Sequence, residues 1–265
     1  MKLCSIASGS SGNSIYVGND STNVLIDAGI TTKRIVTGLD ELSVNPNELS
    51  GILITHEHID HIGGLGVFLR KYKVPVYATK GTIKGIKDNP KLGEFDTSLL
   101  HEINTDIEFN LGDITIRPFK TSHDANEPCG YVLHDDKSRV AVATDLGVYT
   151  DYTIEALSGL DALLLEANHD VKMLEVGSYP YYLKQRILSE RGHLSNEAAG
   201  RLLTRILNDH FKGVLLGHIS EENNYERLAY ETVKMEVSMG DCPYNGGDFP
   251  IEIASRSHMS EIIYC

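Results

Sequence analysis

The chain has 265 residues, 41% of them hydrophobic, with a formal net charge of −13. That length gives one large domain or two small ones a full core, and no apolar run approaches the roughly 20 residues that span a bilayer. Cys4, Cys129, Cys242 and Cys265 are scattered with no C-x-x-C pair, which argues against a disulfide framework and a cysteine-rich zinc site. The pattern predicts strands at residues 3–7, 14–17 and 23–26, a helix at 32–42, a strand at 52–55 and a helix at 64–72. Strands follow at 74–78, 114–119, 131–134 and 140–143, then a helix at 150–157 and a strand at 162–166. Helices at 180–190 and 196–208, a strand at 214–216, a helix at 223–237 and a strand at 251–254 complete the series. The helix at 196–208 is the clearest, since Ala199, Leu202, Leu203 and Ile206 form an apolar stripe and Ser195 is placed to cap it. Residues 1–6 run into a strand pattern rather than a secretory signal, so a cytoplasmic location without membrane contact is expected. No repeat or Pro-rich linker divides the chain, and a single domain over 1–265 is expected. The first half shows no parallel strand–helix–strand rhythm, which suggests two packed sheets with helices outside.

The most informative run is Thr55-His56-Glu57-His58-Ile59-Asp60-His61, directly after the apolar Gly51-Ile52-Leu53-Ile54. Imidazole and carboxylate are the ligands of Zn²⁺ and similar divalent ions. A strand points alternate side chains to opposite faces, so these ligands converge only from a loop. Gly63-Gly64 gives that loop room to turn. Four more candidate ligands stand at strand ends: Asp27, His123, Asp145 and His218. A rigid strand that delivers one polar group at its tip is a way to build a site.

The run T-H-E-H-I-D-H-I-G-G, preceded by Asp27 and followed in order by His123, Asp145 and His218, resembles the metallo-β-lactamase superfamily. The segments Ser5–Ser14, Leu164-Leu165-Glu166-Ala167-Asn168-His169, Gly192-His193-Leu194-Ser195-Asn196 and His218-Ile219-Ser220-Glu221-Glu222-Asn223-Asn224 are similar to its YycJ/WalJ-like branch. The resemblance implies an α/β fold, a four-layer αββα sandwich of two mixed sheets with helices outside. It also implies two divalent metal ions, Zn or Mn. His56, His58 and His123 would hold one, and Asp60, His61 and His218 the other. Asp145 would bridge them, and Asp27 would orient a ligand by accepting a ring N–H. His58 stands where oxygen-reducing diiron relatives carry a carboxylate, which favours hydrolysis over redox chemistry.

Such an ion pair activates water for attack on phosphorus. By the same resemblance Asp60 and Asp145 are catalytic, and His193 is the proton donor to the leaving oxygen, supported by Glu166. The expected function is a metal-dependent phosphodiesterase acting on nucleic acid, a DNA exonuclease with 5′-to-3′ action on double-stranded DNA. The span from Asp145 to His218 is too short for the inserted domain of RNase J-like relatives, and no arm for gripping tRNA is evident. The alternatives are a small-molecule ester, thioester or cyclic-phosphate hydrolase and a non-catalytic metal-binding regulator.

The charge of −13 is adverse to phosphate binding, which needs Lys and Arg. However, Arg70, Lys71, Lys73, Lys80, Lys84, Lys87 and Lys91 share a segment whose one acid is Asp88. It reads as a basic face or as a solvated helix surface. The opening Ser8-Gly9-Ser10-Ser11-Gly12-Asn13 reads as a hairpin turn, because no helix follows it as in a P-loop. The family likeness places it near the site mouth, so Ser10, Ser11 and Asn13 are candidate substrate contacts. Asn223 and Asn224 either cap the next helix or, for Asn223, touch substrate. His101, His134, His210 and His258 are expected on the surface or in packing, and His169 is left open.

Overall fold

The computed structural model describes residues 1–265. The first half contains β1 (Lys2–Ala7), β2 (Ser14–Gly18), β3 (Asn23–Ile26), α1 (Thr32–Glu41), β4 (Leu49–Leu53), α2 (Ile59–Ile62), α3 (Leu65–Tyr72), β5 (Val76–Thr79), α4 (Lys80–Asp88) and β6 (Leu100–Ile103). The second contains β7 (Phe109–Leu111), β8 (Ile114–Lys120), β9 (Cys129–His134), β10 (Arg139–Ala143), α5 (Asp151–Ala156), β11 (Ala162–Glu166), α6 (Val171–Val176), α7 (Tyr181–Ile187), α8 (Asn196–Ile206), β12 (Gly213–Gly217), α9 (Glu226–Met239), β13 (Ile251–Ile253) and β14 (Ile263–Tyr264).

The strands form two seven-stranded sheets, ordered β14-β1-β2-β3-β4-β5-β6 and β13-β12-β11-β10-β9-β8-β7. In the first sheet the β14–β1, β1–β2 and β2–β3 pairs are antiparallel, and β3–β4, β4–β5 and β5–β6 are parallel. The second sheet repeats the pattern, antiparallel from β7 to β10 and parallel from β10 to β13. The expectation that the first half lacks a parallel rhythm is therefore corrected. β3 to β6 advance by parallel steps, each crossing over through α1, α2–α3 or α4. A buried parallel strand shows no apolar–polar alternation, and helix α4 is disguised in sequence by Gly81 and Gly85.

Side-chain alternation sorts each strand between two cores. Leu3, Ile15, Val24, Ile26 and Leu53 of the first sheet meet Ile114, Tyr131, Val142, Leu164 and Leu215 of the second. On the outer face of the first sheet, Leu25 and Ile52 pack under Ile35, Leu39, Phe68 and Ile86 of α1, α3 and α4. On the outer face of the second, Leu163 and Leu165 pack under Leu202, Leu203 and Val233 of α8 and α9. The result is the four-layer αββα order, with each fully buried aliphatic side chain contributing about 1.5–3 kcal/mol.

Helix α8 begins as the sequence predicts, with Ser195 accepting a hydrogen bond from the Ala198 N–H. Three details differ. The ligand-rich run is partly helical, because Asp60 and His61 lie in α2. Helix α9 starts at Glu226 with Tyr225 at its cap, so neither Asn223 nor Asn224 caps it. The short strands β6, β7 and β14 carry no sequence signal beyond a few apolar residues.

Candidate metal centre

Strands of both sheets end on one edge of the sandwich, and their tips deliver the candidate ligands. Asp27 follows β3, His56 and His58 follow β4, His123 follows β8, Asp145 follows β10, and His218 follows β12. Asp27, Asp145 and His218 have φ of 62°, 55° and 53°. The left-handed region is uncommon for residues with a Cβ, and at a strand tip it turns the chain so that the side chain faces back across the edge. Strain of this kind clusters at functional sites.

The side chains converge in overlapping groups. His56, His58 and His123 make one; Asp60, His61 and His218 make another; Asp145 joins His56 and His61 in a third. Asp145 stands between the first two: its Oδ1 lies 3.5 Å from His123 Nε2 and its Oδ2 lies 3.1 Å from His61 Nε2. His58 Nδ1 is 3.3 Å from His123 Nε2, and His218 Nε2 is 3.3 Å from Asp60 Oδ2.

Surrounding acceptors fix which ring nitrogen faces inward. His61 donates Nδ1–H to Asp27 Oδ2 at 2.7 Å, His123 donates Nδ1–H to the Gly192 carbonyl at 3.0 Å, and His218 donates Nδ1–H to Glu166 Oε1 at 2.8 Å. Each ring thus presents Nε2 to the centre, the tautomer a metal ligand needs. Asp27 is itself held by the Thr55 N–H and hydroxyl.

Two buried atoms in the middle, His56 Nε2 and Asp145 Oδ2, have no hydrogen-bond partner in the protein. An unpaired buried polar atom costs about 1–3 kcal/mol. A donor set of imidazole nitrogens and carboxylate oxygens suits divalent cations, so the residues fit two ions. Without them the charges redistribute onto protons. Burial works against a charged His218, but Asp145, Asp60 and Glu166 overcome it and raise its pKa to about 10. Burial likewise opposes charge on His61, and Asp27, Asp145 and Asp60 prevail and push it well up. His56 goes the other way, because burial and its neighbour His61 keep it neutral.

Glu166, at the end of β11, is a hub. Its Oε1 accepts Nδ1–H from both His193 and His218, each at 2.8 Å, and its Oε2 accepts the Leu146 and Leu194 N–H groups at 2.8 and 3.1 Å. Burial alone would raise its pKa, but His193 and His218 hold it down to about 2. Bound through Nδ1, His193 keeps Nε2 free, and the ring lines the cleft of about 240 Å³ above Asp60, Asp145 and His218.

The remaining expected site residues separate by depth. Ser10 lines the cleft and Ser11 is exposed outside it. Asn13 is fully buried, and its Oδ1 accepts from the Gly9 N–H and the Ser8 hydroxyl. Its own N–H binds the Asp60 carbonyl, and Ser8 Oγ in turn accepts the His218 N–H. The opening loop is therefore a hairpin turn that also supports the ligands from beneath. Asn223 is also buried, away from the cleft surface. His101, His210 and His258 are exposed, and His169 is buried beside Asn196.

Arg186, which lines the cleft, and its partner Asp124 gave no motif in the sequence. Arg186 of α7 makes a two-pronged ion pair with Asp124, whose Oδ1 is 3.3 Å from His123 Nε2. The adjacency of Asp124 to His123 was the one available signal.

A two-sheet αββα sandwich with clustered histidines and aspartates on its strand-tip edge defines the metallo-β-lactamase architecture. The chain belongs to the β-lactamase superfamily, whose domain model matches residues 22–219. It is 42% identical to exodeoxyribonuclease WalJ of Streptococcus pneumoniae serotype 2 (strain D39 / NCTC 7466), covering 94% of this chain and 93% of that one. It is 40% identical to exodeoxyribonuclease YycJ of Bacillus anthracis, covering 86% of each. Among solved structures, the short form of human tRNase Z (ELAC1) superposes with a TM-score of 0.67 at 16% identity over the full length of both chains. That likeness is one of fold. No helix is long and apolar enough to cross a membrane.

Proposed function

We propose that the protein is a metal-dependent phosphodiesterase that degrades DNA as an exonuclease. The observation that carries this reading is the joint arrangement of two ligand groups around Asp145, with His193 held over them by Glu166. The names of the two relatives above support DNA as the substrate. The family likeness supports 5′-to-3′ degradation of double-stranded DNA, in the cytoplasm. Mixed nitrogen and oxygen ligands suit Zn²⁺ or Mn²⁺.

His56, His58 and His123 would hold one ion, Asp60, His61 and His218 the other, and Asp145 both. Two bound ions supply water activation and neutralisation of charge at phosphorus. His193 holds a proton on the cleft side and passes it to the departing oxygen. Glu166 keeps the ring in that orientation through Nδ1. An alkoxide needs this proton and a thiolate does not, so the Glu166–His193 pair favours phosphodiester over thioester hydrolysis.

The test is degradation of linear DNA by the purified protein with Mn²⁺ or Zn²⁺, compared with Asp145→Ala. Loss of activity in the variant supports the reading. DNA left intact across a metal screen, with turnover of a cyclic nucleotide or a thioester, would replace it with small-molecule hydrolysis. Turnover of none of these would favour a regulator.

A further inference from the structure

The segment before and within α7 exposes aromatic surface beside the cleft. Tyr181 and Tyr182 are 77% and 75% exposed, although rings of this size are usually covered. The same helix turns Leu183, Arg186 and Ile187 into the cleft, and Tyr179 lines it just before the helix begins. Residues four apart share a helix face, so Tyr182 stands one turn from Arg186 on the same face, exposed outside the residues that line the cleft. Arg186 is held by Asp124 and remains 48% exposed, which leaves guanidinium N–H groups for a further partner.

We propose that Tyr181, Tyr182 and Arg186 form a ledge that receives the unpaired end of the DNA strand next to the cleaved phosphodiester. This rests on the nuclease reading. Arg186 holds a backbone phosphate, and one or both tyrosines stack on the bases that follow. Two features favour a polynucleotide over other occupants. The ledge adjoins the cleft through Leu183 and Arg186, and its two aromatic rings stand about one helical turn from a cation, the pairing that stacking platforms for single strands use. A base stacks on a tyrosine whatever its identity, so the ledge suits a substrate of any sequence. It also gives a duplex end a reason to open, since stacking on the ledge offsets stacking lost in the helix.

The test uses the full-length metal-loaded protein and a duplex whose terminal linkages are phosphorothioates, with 2-aminopurine among the terminal bases. Binding is then read without cleavage. The wild type and Tyr181→Phe/Tyr182→Phe should change the probe fluorescence alike. Tyr181→Ala/Tyr182→Ala should lose that change and bind roughly tenfold or more weakly. Unaltered fluorescence and affinity in the alanine variant would overturn the ledge. So would a dimer in sedimentation that the alanine variant dissociates while DNA binding is unaffected, because the patch would then cover a second copy. A wild type that binds this probe through the tyrosines but leaves ordinary DNA intact would keep the ledge and overturn the nuclease reading.

Discussion

Glu166→Gln is nearly isosteric, yet the structure predicts a large effect. The carboxylate accepts four hydrogen bonds, two backbone N–H groups at Oε2 and two imidazole N–H groups at Oε1. Glutamine has one carbonyl oxygen and one NH₂ group. Whichever way the amide turns, two buried donors face another donor. Each loses its partner at about 1–3 kcal/mol, which makes about 2–6 kcal/mol in all. For a chain of this size that lowers Tm by roughly 5–20 °C. If the oxygen stays with Leu146 and Leu194, His193 and His218 both lose their acceptor. Metal affinity should then fall about 10–100-fold, and turnover at saturating metal about 10²–10⁴-fold. Scanning calorimetry and degradation of linear DNA at saturating Mn²⁺ measure both. A variant with Tm within about 2 °C of wild type and turnover within about twofold would refute the reasoning.

Other outcomes follow from the same geometry. Asp27→Asn weakens the acceptor for the His61 Nδ1–H, and metal affinity should drop about 10–100-fold in a chelator competition titration. His218 is protonated below about pH 10 in the metal-free protein, so each ion that binds there must release a proton. His61 shares that position and is pushed well up too, so it also gives up a proton; apparent affinity there should rise with pH by about tenfold per unit or more between pH 6 and 8, and calorimetric titrations showing a flat profile would contradict this. Burial lowers the His169 pKa from 6.5 to about 4. The unfolded chain then takes up the proton first as pH falls. The stability lost between those values is about 3 kcal/mol, it is recovered above pH 6.5, and urea melts of His169→Gln against wild type should differ in this window.

The site was more legible than the framework around it. Seven candidate ligands stand in a dense motif or at the end of an apolar strand, and chemistry at fixed spacing survives without an alignment. Parallel pairing was not legible, because β3 to β5 are short and buried on both faces. Helix α4 was hidden by two glycines that lower helix propensity. They are there for packing: a Cβ on Gly85 would collide with the Glu57 side chain, and one on Gly81 would meet Glu127 Cβ at 2.6 Å. The lysine-bearing helix thus leans directly on the ligand loop. Asn13 and Asn223 looked available for substrate because depth is not encoded locally. Both are buried by groups far along the chain, as Asn13 is by Asp60 and His61. The Arg186–Asp124 pair joins residues 62 positions apart and had no sequence pattern to announce it.

The central claim is that Asp145 serves two cation positions at once. Anomalous diffraction from crystals soaked in Mn²⁺ and Zn²⁺ tests it most directly. Two peaks per chain, one on each side of the Asp145 carboxylate, with at least one lost in Asp145→Ala, is the predicted result. A single peak per chain, or peaks that leave Asp145 without contact, would contradict the account.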